Sequence, residues 1–225
     1  MKFAPKEDRI FDLFDPDFCQ YHAEEEPFVM LDEKQTTEIQ VVSAFPCFHI
    51  PDLDHKWQSE KLFPFIKKKY RPTKCADHMV FLYDKEKSAW IVHIFEMKTG
   101  IGVRTWQKVR LQLSGALCRA YTIGGVLLYN HSFSQIYTHC VYKDDRPDQE
   151  LIELEAEADG LIEKPQEREA DHTPEWELPS VKLPLFPEME LPNTPIKLDF
   201  TIRKKGRVTA EIRLDTNGCS ILSPQ

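Results

Sequence analysis

The sequence predicts an α/β fold, and three observations carry that prediction. Two β-rich runs lie side by side at 77–83 and 88–98, a basic segment with helical apolar spacing follows at once, and further apolar runs come after it. The first pair is rich in β-branched and aromatic residues. Asp84-Lys85-Glu86-Lys87 between them reads as a hairpin loop whose acids face solvent. Over 104–121, Val109, Leu113, Ala116, Leu117 and Ala120 form one stripe at helical spacing. The run 125–129, Gly-Val-Leu-Leu-Tyr, predicts a strand after the helix, and 135–142 predicts another.

Composition sets the organisation around this centre. With 225 residues and 41% hydrophobic content, the chain can bury one good core. Residues 1–55 read as an extension packing on that core, with a β-rich run at 39–42 and no legible function. Residues 56–143 form the core itself. Residues 144–195 read as an acidic, proline-rich linker, since 144–180 alone holds 14 Asp/Glu against 3 Lys/Arg. Residues 196–225 predict a C-terminal β-hairpin appendage, with strands at 196–202 and 208–214 flanking a basic tip, Arg203-Lys204-Lys205-Gly206-Arg207. Such a hairpin is marginal alone and is expected to dock on the core or on a partner.

The chemistry is concentrated where the second strand ends. If Tyr83 pairs with Ser88, Asp77 falls opposite Ile94. Side-chain alternation then puts Glu96 and Lys98 on the face that carries Asp77, the two acids being diagonal neighbours about 7 Å apart at the backbone. Met97 points the other way and leaves its backbone carbonyl as a further hard oxygen. Asp77, Glu96 and the Met97 carbonyl suit Mg²⁺ or Mn²⁺, which keep several waters and take one or two carboxylates. Lys98 is the expected positioning cation. In the same register His78 and His93 form a structural cross-strand pair on the face away from Glu96.

Charge points to a polyanion. Residues 56–119 hold 14 Lys/Arg against 5 Asp/Glu, inside a chain of formal net charge −8. Lys67, Lys68, Lys69, Arg71 and Lys74 precede the candidate site, while Arg104, Lys108 and Arg110 follow it. Lys74, Arg104, Lys108 and Gln112 are the expected nucleic-acid contacts. The acidic stretch that follows reads as a solubilising spacer, with a cover over the basic groove as the alternative. Trp57, Trp90 and Trp106 are expected in the core, Trp106 having base stacking as its alternative.

Cys75-Ala76-Asp77-His78 followed by Glu96-Met97-Lys98-Thr99-Gly100, a helix and another strand resembles the PD-(D/E)XK nuclease superfamily, especially its RecB-like branch. The resemblance covers roughly residues 56–142. It implies a restriction-endonuclease-like mixed central sheet flanked by helices, with Asp77, Glu96 and Lys98 catalytic and a bound Mg²⁺ or Mn²⁺. The branch also carries Gln-x-x-x-Tyr on the helix; Gln107 and Gln112 lie there, and neither has Tyr four residues later. A family glutamate on the first helix would correspond to Glu60, within 56–70.

The function these features imply is metal-dependent hydrolysis of nucleic acid, DNA before RNA. The chain has no phosphate-binding Gly-x-x-x-x-Gly-Lys-Ser/Thr motif. A helicase or ATPase partner within a defence or repair system, antiviral defence included, is therefore the expected setting. The alternative is a non-catalytic adaptor that keeps the fold and binds nucleic acid or protein. No apolar run approaches the ~18 residues of a membrane span, and the first eight residues lack a signal-peptide core. A cytoplasmic location, no membrane partner and six reduced thiols without Cys-x-x-Cys spacing are the matching expectations. Cys47-Phe48-His49 and His139-Cys140 read as ordinary core residues before zinc ligands.

Overall fold

A computed structural model describes residues 17–51, 74–127, 133–145, 173–199 and 201–222. The described residues form an α/β structure, mostly strand, with mixed sheets and one helix. Three layers stack around two apolar clusters.

The middle layer is a six-stranded sheet in the order β1-β4-β5-β6-β7-β10. β1 (Gln20–His22), β4 (Cys47–Pro51), β5 (His78–Asp84) and β6 (Ala89–Ile101) run antiparallel to their neighbours. The chain then crosses over through α1 (Val103–Leu127) to β7 (Phe133–Asp145), parallel to β6, and β10 (Ile196–Lys197) adds a parallel edge. Residues 77–98 thus form the expected hairpin, and a helix and strand follow it.

One face of the sheet packs on α1. Trp106, Val109, Leu113, Ala116, Leu117, Ala120 and Ile123 meet Met79, Phe81, Val92 and Ile94. Ile123 continues the apolar stripe for another turn, which is why the strand expected at 125–129 does not begin there: the helix runs to Leu127. Burial on an amphipathic face outweighs the strand preference of Val and Leu in that run. The expected strand at 135–142 lies within β7.

A ribbon of β8 (Ser180–Leu183) and β9 (Phe186–Pro192), preceded by a 3-10 turn at Glu175–Glu177, covers the other flank of the helix. Trp176, Val181, Leu183 and Leu191 are buried in the same cluster. This corrects the linker reading of 144–195. Its 173–195 part carries enough alternating apolar residues to fold onto the core, and its charge bias comes mostly from 146–172, outside the described residues.

The opposite face packs on a second sheet, β11-β12-β3-β2 with β13 also on β12. β2 (Phe28–Leu31) and β3 (Thr37–Ser43) come from the N-terminal part, while β11 (Arg203–Lys204), β12 (Arg207–Asp215) and β13 (Gly218–Leu222) come from the C-terminal part. β3 pairs in parallel with β12 over seven residues, Thr37–Ser43 against Val208–Leu214. Neither of these described segments is therefore an appendage; residues 28–43 and 203–222 build one layer together, and residues 17–51 also supply β1 and β4 to the middle sheet. The basic tip forms a tight turn at Lys205-Gly206, both with positive φ (52° and 80°), as a two-residue hairpin requires.

The register of β5 and β6 differs from the expected one by two residues. Tyr83 pairs with Trp90 and Asp84 with Ala89, so the loop is 85–88. Asp84 causes this. It is buried rather than solvated, and its Oδ1 accepts the amides of Glu86 and Lys87 at 3.0 and 3.1 Å, closing the turn one residue later on each side. His78 accordingly lies opposite Phe95, and His93 opposite Val80. The expected His78–His93 pair does not form. His78 meets His49 (3.1 Å) and His93 meets His139 (2.9 Å), both pairs buried on the side of the second sheet. All six cysteines are free thiols. No helix among the described residues is long and apolar enough to cross a membrane.

Candidate functional site

The site sits where β5 begins and β6 has not yet ended. Continuing the observed register by one step sets Asp77 level with Glu96. An even slip leaves side-chain faces unchanged, so Asp77, Glu96 and Lys98 still share the face that packs toward α1. Asp77 Oδ2 accepts the backbone N–H of Met97 at 2.7 Å. The carboxylate thereby replaces the ladder partner that β5, beginning only at His78, does not supply.

The Asp77 contact also fixes the Met97 carbonyl. In an extended strand the N–H and C=O of one residue leave to the same side, so this oxygen leaves β6 on the side of Asp77. The Met97 side chain is buried between the two sheets, as expected.

Glu96 is fully buried, and the Lys98 ammonium contacts its Oε1. Burial pushes the Lys98 pKa down, but Glu96 and then Asp77 outweigh it and hold the ammonium above its ordinary value. Cys140, paired with Glu96 across β6 and β7, is a buried thiol pushed far up by burial and then by the Glu96 carboxylate. It is an inert wall rather than a nucleophile.

Two carboxylates and a directed carbonyl are a hard-oxygen donor set that fits Mg²⁺ or Mn²⁺, which need no all-protein cage. Among the described residues, no group of three or more His, Cys, Asp or Glu side chains that could hold a metal ion comes together. The ammonium of Lys98 lies against one of the carboxylates that would hold the ion. A divalent ion on Glu96 has to share that oxygen or move the lysine.

The expected nucleic-acid contacts divide by helix flank. Arg104, Lys108 and Gln112 recur every four residues along one ridge of α1, about 6 Å apart per step. Gln112 reaches the site, where its Nε2 donates to the Cys75 carbonyl (3.3 Å). Lys74 is exposed just before Asp77. Arg110 belongs to the other flank. It donates through Nε and Nη2 to the Lys182 carbonyl and lies 3.7 Å from Glu175, fastening the β8–β9 ribbon. The Trp106 indole N–H donates to the same Glu175 at 3.1 Å, which keeps that ring in the core, as expected for Trp90 also. Glu60, Trp57 and the basic run 67–71 lie outside the described residues.

A cavity of about 410 Å³ opens beside Asp77, Lys98 and Gln112. Its remaining lining comes from the N-terminal strands: Gln20, Val29, Leu31, Asp32, Glu33, Gln35, His49 and Pro51, with His78 from β5. Of the N-terminal residues only His49 was named from sequence, as a core residue before a zinc ligand. The available signal was a turn pattern, Asp32-Glu33-Lys34-Gln35-Thr36-Thr37 between two β-rich runs, and it announces a hairpin without saying where the hairpin points. Comparisons of the chain with protein-family models, with curated proteins and with solved structures found no match.

Proposed function

We propose that the protein is a Mg²⁺- or Mn²⁺-dependent nuclease of restriction-endonuclease-like fold that hydrolyses phosphodiester bonds, with DNA as its substrate. The observation that supports this most is the juxtaposition at the end of β6: Asp77 level with Glu96, and Lys98 on the same face against Glu96. The order of elements agrees with the PD-(D/E)XK resemblance, an antiparallel β4-β5-β6 meander followed by a helical crossover to a parallel strand.

Asp77, Glu96 and the Met97 carbonyl are the groups that would hold the ion. A divalent ion bound there supplies Lewis acidity, lowering the pKa of water and offsetting charge on the scissile phosphate. The chain's own contribution is positional. Asp77 is held in place by the Met97 amide, the wall behind Glu96 is dry, and Lys98 offers a fixed positive charge for an attacking oxygen or a phosphate oxygen. Arg104, Lys108 and Lys74 supply phosphate-neutralising charge next to the site. A helicase or ATPase partner, in a defence or repair setting, would supply the motor that the sequence does not show.

The test is incubation with single-stranded, duplex and plasmid DNA and with RNA in Mn²⁺, for wild type, Glu96→Ala and Lys98→Ala, with and without a co-purifying ATPase. Cutting reduced by about 10²-fold or more in both variants is expected. Cutting that survives either change removes these residues from the mechanism. Metal-independent nucleic-acid binding with no cutting under any condition would favour the non-catalytic adaptor.

A further inference from the structure

The proposed catalytic groups leave the cavity unexplained, since two carboxylates and a lysine need only a phosphate at their mouth. Three observations say what the rest of the space is for. The first is size: about 410 Å³ lies within the roughly 300–1,000 Å³ of small-ligand pockets and suits one nucleotide rather than a length of duplex.

The second is that the far wall is built and fastened rather than a loose loop. The Asp32 carboxylate accepts the amides of Thr36 (2.5 Å) and Thr37 (2.8 Å) and both their hydroxyls, locking the β2–β3 turn. Lys143 Nζ on β7 donates to the Thr36 hydroxyl (3.0 Å). His78 Nε2 lies 2.9 Å from the Leu31 carbonyl, which only accepts, so this nitrogen carries the proton. His78 Nδ1 is then the acceptor for His49 Nε2–H. His78 adjoins Asp77 in the chain, so the wall is tied directly to the residue beside the catalytic acid.

The third is chemistry. The wall and rim offer the amides of Gln20, Gln35 and Gln112 together with Glu33, while the positive charge stays at Lys98. Amides suit the hydrogen-bonding edge of an uncharged base, whereas a second phosphate would meet Glu33 and Asp77.

We infer that this cavity is a subsite for one unpaired nucleotide adjoining the scissile phosphate, with its base between the β2–β3 turn and Gln112 and the strand running along Lys108 and Arg104. The inference rests on the nuclease reading and names its substrate class as a strand with an unpaired nucleotide at the cut. The subsite is made largely by residues 20–35, whereas the groups proposed as catalytic come from the β5–β6 hairpin.

The test is fluorescence anisotropy in EDTA with a labelled single-stranded oligodeoxynucleotide and the same strand annealed blunt to its complement. Wild type is expected to bind the single strand at least about tenfold tighter, a difference of about 1.4 kcal/mol. Gln20→Trp, which fills the mouth from an exposed edge strand, should abolish that preference with an unchanged circular dichroism spectrum. Gln112→Ala should weaken single-strand binding by a smaller factor. Equal binding of duplex and single strand by wild type, or a preference untouched by Gln20→Trp, overturns the subsite. Cleavage in Mn²⁺ separates the two readings. Efficient cutting of blunt duplex by wild type, equal to its cutting of single strand, leaves the nuclease standing without the subsite, whereas no binding and no cutting by wild type removes both.

Discussion

Replacing Lys98 by methionine should make the protein's stability depend much more strongly on divalent ions. The ammonium contacts the Oε1 of a fully buried glutamate, and its own side chain is 26% exposed. Removing one partner of such a pair leaves the other charge buried, at a cost of about 3–5 kcal/mol. That is a large share of the roughly 5–15 kcal/mol that holds a domain together, so the urea midpoint should fall by one molar or more at the usual slopes. An ion at Asp77 and Glu96 compensates the same carboxylate. At a hundred times its dissociation constant it returns about 2.7 kcal/mol. In wild type the ion competes with the resident ammonium, so its gain is smaller at equal concentration. The assay is urea unfolding of wild type, Lys98→Met and Glu96→Gln in EDTA and in a Mn²⁺ series. Lys98→Met should show the largest metal-dependent gain and Glu96→Gln almost none. Equal gains in all three, or none in Lys98→Met, would show that these oxygens do not hold an ion.

The two flanks of α1 should separate in binding experiments: Arg104→Ala and Lys108→Ala should each lower the slope of log affinity against log salt by about 0.7–0.9, one phosphate's worth. Arg110→Ala should leave that slope alone and instead cost about 1–3 kcal/mol of stability, through its lost bonds to the Lys182 carbonyl; a changed slope would place Arg110 on the substrate. Acid should destabilise the fold before most carboxylates titrate. Burial, with the neighbouring His139 second, holds His93 well below 6.5, and burial holds His139 at about 3. Both folded values lie below the unfolded one, so their stabilisation is complete above pH 6.5 and is lost progressively as pH falls below it, through about 3 for His139. Urea midpoints at pH 7, 6 and 5 check this, and the double change His93→Phe/His139→Phe should flatten the profile; a wild-type profile already flat refutes it. Asp32→Ala should cost about 3 kcal/mol, because four bonds to a carboxylate hold the β2–β3 turn, and a loss under about 1 kcal/mol would mean the turn stands without them.

The middle of the fold was legible because its signals are local. Residues 77–98 carry strand composition on both sides of a charged loop, and the 109–120 stripe has one period, so a hairpin and a helix could be read directly. Asp84 was misread because turn acids usually face water, and only the closed loop shows its carboxylate satisfying two amides. The helix end was misread because 125–129 suits a strand as a peptide, whereas Ile123 is already committed to the helix face. The second sheet was not legible at all. β3 and β12 pair in parallel across more than 160 residues, and neither run says which distant strand it will meet. The 173–195 segment was hidden by its neighbours: a window averaged over 144–180 is strongly acidic, although Trp176, Val181 and Leu183 in and beside it are core residues.

The candidate site survived a wrong register for a reason that also limits what sequence can say about it. Strand side chains repeat every two residues, so a two-residue slip moved Asp77 from beside Ile94 to beside Glu96 without turning any of the three groups to the other face. Spacing within one hairpin was enough to bring the three candidate groups to one face. The cavity wall depends instead on contacts between His78 and Leu31 and between Lys143 and Thr36, separated by 47 and 107 positions. Its residues are glutamines, threonines and an aspartate, types too common to stand out in a chain. The candidate groups lie within one hairpin, whereas the cavity wall is brought to them by the N-terminal strands. The His78–Leu31 bond joins the two, because any shift of the β2–β3 turn must be felt one residue away, at Asp77.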